Sequence, residues 1–456
     1  MRNQPCWMVG VMGVMGVLAA MGAVGVPPSD AQTVPAPSVS SPTRLSVSDA
    51  IDLALKASHR IGEYEAREDT AKAATASREA ADRPVVSLLG GYTRTNHVDQ
   101  FALQLPGAPP RVIYPDVPDN WRSRLDVQWP VYTSGRIAAL GRAAQAEQRA
   151  AATDASTVRA DVRLDAARAF WTMVTAVESV RVVDDALKLV EAHLQDVRNL
   201  LAAGLVAPND VLTAEARRSR EQVLLINARN ARDVAEADLR RATGLGARVQ
   251  IELAAGLDGA PPPIPAVEDL LAEARKNRPE RQALQLRADS VAQQRAAAAA
   301  VSKPVVSLAG GVDYARPNAR IFPRAGTWNE SWDVGVNVSW LLWDGGRVKS
   351  DVAQASAAER AAQQRLAEFD AVLEFDVRQR QLDLGSAAAA IAAVTSEVAS
   401  AAEARRVVAE RFKAGVASNT DVLDAQQALM DAQFDRTRTL AAVKLAQARL
   451  DRAIGR

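Results

Sequence analysis

The sequence predicts a mainly α-helical fold with a membrane β-barrel contribution, built from a duplicated helix–strand–strand–helix–helix unit. Three observations carry this. One series of motifs occurs twice in a fixed register. Each copy holds alternating segments edged by tryptophan. Each copy then runs into a helix too long for a compact core.

The duplication is visible first at Arg83-Pro84-Val85-Val86-Ser87-Leu88-Leu89-Gly90-Gly91, which recurs as Lys303-Pro304-Val305-Val306-Ser307-Leu308-Ala309-Gly310-Gly311, 220 residues on (Pro84 to Pro304). From Trp129 onward the spacing is 211: Gly135-Arg136 recurs as Gly346-Arg347, Asp210-Val211-Leu212 as Asp421-Val422-Leu423, and Gly244 as Gly455. The spacing shortens because the loop after the first Gly-Gly is longer in the first copy. A register held this far marks an internal repeat. The copies span about 45–244 and 266–456, joined by a Pro-rich linker at 245–265 that contains Pro261-Pro262-Pro263. Such composition reads as a connector.

Residues 1–31 read as a signal peptide. Arg2 precedes an apolar run from Val9 to Val26, and Ser29-Asp30-Ala31 supplies small residues for cleavage. Residues 32–44, rich in Pro and Ser, read as a flexible leader. The single cysteine, Cys6, falls in the signal, and no cysteine follows the apolar run. No disulfide and no lipid anchor are therefore expected. No later stretch has about 18 consecutive apolar residues, so no membrane-spanning helix is expected after the signal. Lys+Arg 55 against Asp+Glu 54 gives a net charge of +1, without the basic surplus of a nucleic-acid binder. Alanine makes up roughly a fifth of the chain, which favours long, closely packed helices.

Strands are expected at about 84–94 and 120–132, and again at about 304–314 and 331–343. In the first copy Trp121, Leu125, Val127, Trp129 and Val131 alternate with Arg122, Arg124, Asp126 and Gln128. In the second, Trp332, Val334, Val336, Val338, Trp340 and Leu342 alternate with Asp333, Asn337 and Ser339. Alternation of this kind is a strand with one apolar and one polar face. Arg and Asp at mid-strand suit a water-filled lumen. Trp121 and Trp129, like Trp332 and Trp340, stand eight residues apart, about 19 Å along the membrane normal at a 45° tilt. They are assigned as membrane-interface aromatics, facing outer-membrane lipid. The loops at about 94–120 and 314–331 hold most of the neighbouring prolines and are read as outer loops. Four strands leave two open edges, which hydrocarbon does not tolerate. Like subunits must pool strands: two copies give eight, three give twelve.

After Gly141 neither Pro nor Gly occurs until Gly204, enough for a helix about 93 Å long. Val162, Ala166, Ala169, Met173, Ala176, Val180, Val183, Leu187, Val190, Leu194, Val197 and Leu201 follow an unbroken 4–3 spacing, the mark of a coiled-coil seam. Ten of the twelve positions stay apolar in the second copy, Arg380 and Arg405 being the exceptions. Tip turns at about 203–210 and 414–421 then reverse the chain into a shorter helix. Gly204 and Gly415 suit the left-handed stop, and Asn209-Asp210 and Ser418 to Asp421 suit the next start.

These residues resemble the TolC-like outer-membrane efflux proteins over nearly all of the chain after the signal. The likeness rests on Arg83-Pro84-Val85-Val86, on Trp340 to Arg347, and on the paired tips Ala203-Gly204-Leu205-Val206-Ala207-Pro208-Asn209-Asp210-Val211-Leu212 and Ala414-Gly415-Val416-Ala417-Ser418-Asn419-Thr420-Asp421-Val422-Leu423-Asp424-Ala425. The resemblance implies a homotrimer with a twelve-stranded β-barrel on a long coiled-coil α-barrel, in the outer membrane with a long periplasmic extension. It implies an exit duct for tripartite efflux or type I secretion, coupled to a periplasmic adaptor and an inner-membrane transporter. It also implies a tip gate formed by Asp421 and Asp424, with Asp210 helping to latch it, and adaptor contacts at Gly204, Leu205, Gly415 and Val416. Three apart, Asp421 and Asp424 share one helical face. Acids in a first helical turn are also favoured by the helix dipole, the simpler alternative to a ring. Where well-known members carry Tyr and Arg in the second tip, this chain has Phe412 and Ala417.

No catalytic chemistry, cofactor or metal is expected. His59, His97 and His193 lack metal-ligand spacing. Gly345-Gly346-Arg347 lacks the frame of a phosphate loop. A periplasmic coiled-coil adaptor or scaffold is the competing class. It accounts for the hairpins but not for the Trp-flanked alternating segments.

Overall fold

The computed structural model describes residues 43–456. The signal peptide and the leader up to residue 42 lie outside the described residues. The first copy runs β1 (Thr43–Leu45), α1 (Val47–Ala57), α2 (His59–Glu79), β2 (Val85–Arg94), β3 (Phe101–Leu103), β4 (Arg111–Tyr114), β5 (Asp119–Tyr132), α3 (Arg136–Ala202) and α4 (Pro208–Thr243). After β6 (Ile251–Leu253), the second copy follows as α5 (Val267–Asn277), α6 (Pro279–Ala299), β7 (Val305–Arg316), β8 (Asn329–Ser339), α7 (Arg347–Lys413) and α8 (Asn419–Ile454).

Several boundaries depart from the sequence reading, each for a local reason. The helix ahead of each first strand is two helices, because Ser58 and Arg278 take extended backbone. Arg278 precedes Pro279, which disfavours helical backbone at the residue before it. Thr43 and Arg44, assigned to the flexible leader, belong to β1. The linker at 245–265 contributes β6, and the two short strands pair in parallel, Thr43 with Ile251 and Leu45 with Leu253. Leu45 is driven there by burial in the core around Phe170. The first outer loop folds its own small hairpin, β3 with β4. The strand expected to reach residue 343 ends at Ser339, opposite Val305. Beyond Val305 its partner offers Pro304, which has no N–H to continue the ladder.

The principal sheet has the order β2-β5-β7-β8, antiparallel throughout. Residues opposite one another share a face. Val86 pairs with Val127, Leu88 with Leu125, Leu125 with Val312, and Val312 with Trp332, which makes one continuous apolar face. That face is uncovered: Val334 is 77% exposed. The opposite face aligns Arg124 with Asp313 and Gly311 with Asp333. Among the described residues β2 pairs only with β5, and β8 only with β7, so both outer edges are unpaired.

α3 and α7 each have 67 residues, about 100 Å of helix. Every seam residue named for α3 is buried or half-buried, from Val162 to Leu201. α3 packs against α2, α4, α6 and α8 and buries twenty-two residues. α7 packs chiefly against α8 and α6 and buries only Leu373, Val377, Leu384 and Phe412. The largest core sits midway along α3, where Phe170, Trp171 and Met173 meet Leu45, Leu239 and Leu440.

Candidate functional site

Far from the sheet, α3 and α7 end in the same way. Gly204 (φ 73°) and Gly415 (φ 75°) adopt the left-handed conformation that lets the chain reverse. Leu205 N–H then donates to the Leu200 carbonyl, and Val416 N–H to the Arg411 carbonyl, both at 2.9 Å. This pair of Schellman turns satisfies carbonyls that the helix ends would leave free. Leu205 and Val416 are thereby exposed at the extreme tip.

The tip acids have separate local tasks. The Asp421 carboxylate accepts from the Ser418 N–H at 2.8 Å while Ser418 Oγ accepts from the Asp421 N–H at 3.1 Å, a capping box at the start of α8. These Ser418 hydrogen bonds hold the Asp421 carboxyl below the usual aspartate range. Asp424 lies one turn on and is exposed, as is Asp421, while Val422 and Leu423 between them are buried. Both acids therefore stand on the face turned away from this subunit's own core. The Asp210 carboxylate caps α4 by accepting from the Ala207 N–H at 3.3 Å.

The two hairpins are joined at the tip by His193, which the sequence marks only as lacking metal-ligand spacing, and by Asn419, which it marks only as part of a helix start. Asn419 Nδ2 donates to the Asp210 backbone carbonyl at 3.0 Å, and Asn419 Oδ1 lies 2.7 Å from His193 Nε2. The Asn419 nitrogen is engaged, so its oxygen faces the ring and His193 Nε2–H is the donor. One side chain of α8 thus bridges α3 and the start of α4. His193 and Asn419 are only 6% and 4% exposed. Burial pushes the His193 imidazole below its ordinary value, and the Asn419 hydrogen bond and the Asp196 carboxylate oppose this less strongly. The ring also meets Phe412 edge-on, with centroids 5.0 Å apart. Phe412 packs with Val197, Val422 and Ala417 in a small apolar cluster. The positions that lack the Tyr and Arg of better-known tips are therefore filled by apolar packing, and the polar tie passes through His193 and Asn419. Its sequence signal was faint: a histidine next to the seam residue Leu194.

At the sheet, two of the assigned tryptophans mark its junction with the helices. Trp129 Nε1–H donates to the Asp82 carbonyl at 2.8 Å, and its counterpart Trp340 donates to the Ser302 carbonyl at 3.1 Å. Trp340 lies just past the end of β8. Trp121, paired with Tyr92 at 4.4 Å, and Trp332 stand toward the loop end. On the polar face Arg124 bridges three carboxylates: Asp126 at 2.9 Å, Asp313 at 2.5 Å and Asp333 at 2.9 Å. Arg122 adds a second bond to Asp313, at 2.6 Å. The charges met at mid-strand are thus a cross-strand network on one face, opposite the apolar one.

An apolar-faced sheet with unpaired edges at one end, and paired helical turns some 100 Å away, define a subunit of an outer-membrane channel. Residues 50–245 and 270–456 match the family described as outer membrane efflux protein, and the chain belongs to that family. It is 25% identical over 396 residues to outer membrane protein TolC of Vibrio cholerae, covering 86% of each chain. Among solved structures it is similar to the outer membrane protein VceC of Vibrio cholerae, with TM-score 0.73, 20% identity, and 90% of this chain and 96% of that one covered. It is similar also to CusC, with TM-score 0.76, 15% identity, and 90% and 92% covered. The chain is a protein of the outer membrane with a long helical part on the periplasmic side.

Proposed function

We propose that three copies join as the exit duct of a tripartite efflux or type I secretion system, receiving cargo through a periplasmic adaptor and an inner-membrane transporter. The duct conducts passively and catalyses nothing. The observation that carries this reading is the sheet itself: four strands, an uncovered apolar face and two unpaired edges. β2 and β8 run in opposite directions, so β8 of one subunit meets β2 of the next as an antiparallel neighbour. Every seam of a twelve-stranded cylinder is then of one kind, and no backbone group is left open to lipid. The long helix α7 supports the same reading. It carries a long apolar stretch almost none of whose residues are buried within the subunit, a surface suited to a neighbouring helix. The tips, with exposed Leu205 and Val416 beside Gly204 and Gly415, are the surface offered to the adaptor.

The test is a disulfide scan across the seam. The only natural cysteine is Cys6, so Leu88→Cys combined in turn with Val334→Cys, Val336→Cys or Val338→Cys reports the edges alone. At the correct register, oxidation should give a ladder that ends at three subunits. Monomers at every register, or a ladder that continues past three, would remove the assembly.

The acids of the tip become six carboxylates around the bore in such a trimer. Asp421→Asn with Asp424→Asn keeps a capping acceptor and removes the charge. Reversal potentials in a salt gradient should then show a weaker cation preference, and an unchanged preference would leave these residues as caps only.

A further inference from the structure

The loop between β7 and β8 does not stand away from the sheet. It turns back across the polar face. Asn318, which is buried, holds its start: the side-chain amide donates to the Asn329 carbonyl and the Ser331 hydroxyl, both at 3.0 Å, and its oxygen accepts the Arg320 N–H at 2.9 Å. The Arg320 guanidinium donates to the Trp332 carbonyl and lies 3.7 Å from Asp333. Arg324 reaches into the first copy, donating to the Tyr114 hydroxyl at 2.5 Å and to Asn120 Oδ1 at 2.9 Å. Its Nε is buried without a partner.

Together these residues roof a cavity of about 620 Å³, with Arg122, Arg124, Asp313 and Asp333 also in its lining. Four guanidinium groups therefore face two carboxylates. Arg122 and Arg124 bond both of those acids directly, Arg124 also bonds Asp126, and Arg320 pairs with Asp333, so the cluster keeps one positive charge in excess, with Arg324 its one member bonded only to neutral groups. The volume falls in the range of small-molecule sites. Guanidinium forks match the geometry of oxyanions. A solvated cleft with this lining attracts anions beyond its contacts.

We infer that this cavity is an anion-binding vestibule at the outer mouth, taking small oxyanions of the phosphate class. Its place inside the bore rests on the exit-duct reading above; its capacity to bind does not. In the assembled duct three such vestibules ring the mouth, and an oxyanion held there obstructs ion flow from the loop side.

The probe is inorganic phosphate, titrated against the full chain in planar bilayers from the side facing the loops. Current should fall saturably. Arg320→Gln with Arg324→Gln should raise the half-blocking concentration at least about fivefold, while Arg320→Lys with Arg324→Lys, which keeps the charge but loses the fork, should raise it by less than the Gln pair does. Equal block of the wild type and the Gln variant, or no saturable block of the wild type, overturns the vestibule. If the wild type makes no channel, the duct reading fails instead. Phosphorus NMR line broadening of phosphate by the detergent-solubilised chain then still decides the site. Broadening reduced by the Gln substitutions supports it, and broadening that is absent or unaltered removes it.

Discussion

Asn419→Ala is expected to raise single-channel conductance several-fold over the wild type in planar bilayers, because it removes the buried side chain that ties the start of α8 to both helices of the first hairpin. The substitution leaves the buried His193 Nε2–H and the part-buried Asp210 carbonyl without their partner. Each stranded group costs about 1–3 kcal/mol, and hairpins that part return both groups to water. The same tie should respond to pH. The folded pKa of His193 is depressed, so the packed tip holds a neutral ring, while a parted tip can take a proton below about 6.5. The stabilisation is whole above that value and is lost as pH falls through it. Compensating charge is scarce around the ring. Asp196 is on its own helix, the Asp210 and Asp421 carboxylates are turned to their own caps, and Arg411 and Lys413 flank Phe412 but are exposed. Wild-type conductance should therefore rise on mild acidification. His193→Gln, which retains a donor and cannot titrate in this range, should stay flat. An Asn419→Ala channel with wild-type conductance, from a correctly assembled protein, would show that the tip is held elsewhere.

Phe170→Ala should be the most destabilising single change in the helical part. Phe170 is 0% exposed and stands edge-on to Trp171, 5.1 Å away, within the core that includes Leu45, Leu239 and Leu440. Truncating a phenylalanine at such a site costs about 3–5 kcal/mol. A marked drop in the midpoint of urea unfolding, followed by circular dichroism, is the expected reading. The matched control is the position 211 residues on, Gln381, whose side chain donates to the Pro265 carbonyl at 2.8 Å. Gln381→Ala should cost well under half as much. Comparable losses at both positions would mean that this core does not dominate the stability of the shaft.

Much of the architecture was legible because its signals are long. A seam kept over twelve positions, and a polar–apolar alternation edged by tryptophan, are regularities that few other folds would impose. The misses are short or non-local. β1 and β6 are three residues each and lie about 200 residues apart, so neither carries a period. The break at Ser58 has only extended backbone to mark it, although Pro279 marks the equivalent break in the second copy. Trp340 to Leu342 continue the alternation past the end of β8, because the pattern records which side a residue faces and not whether a partner strand remains. The tip shows the same limit. Asp421 was readable as an acid beside a turn. The tie between His193 and Asn419 joins residues more than 200 positions apart, and no local spacing encodes it.

The unequal burial of α3 and α7 bears on how the two halves of the chain tolerate change. They descend from one unit, yet Trp171 lies in a dense core while its counterpart Leu382 is 65% exposed. α3 has become a brace, committed at many positions to helices of both copies. Its counterpart α7 keeps a broad, small-residue surface with few internal obligations, while α8 buries fifteen residues and carries the core of the second copy. Fusing two copies in one chain lets one long helix bear load while its twin stays free to meet other bodies.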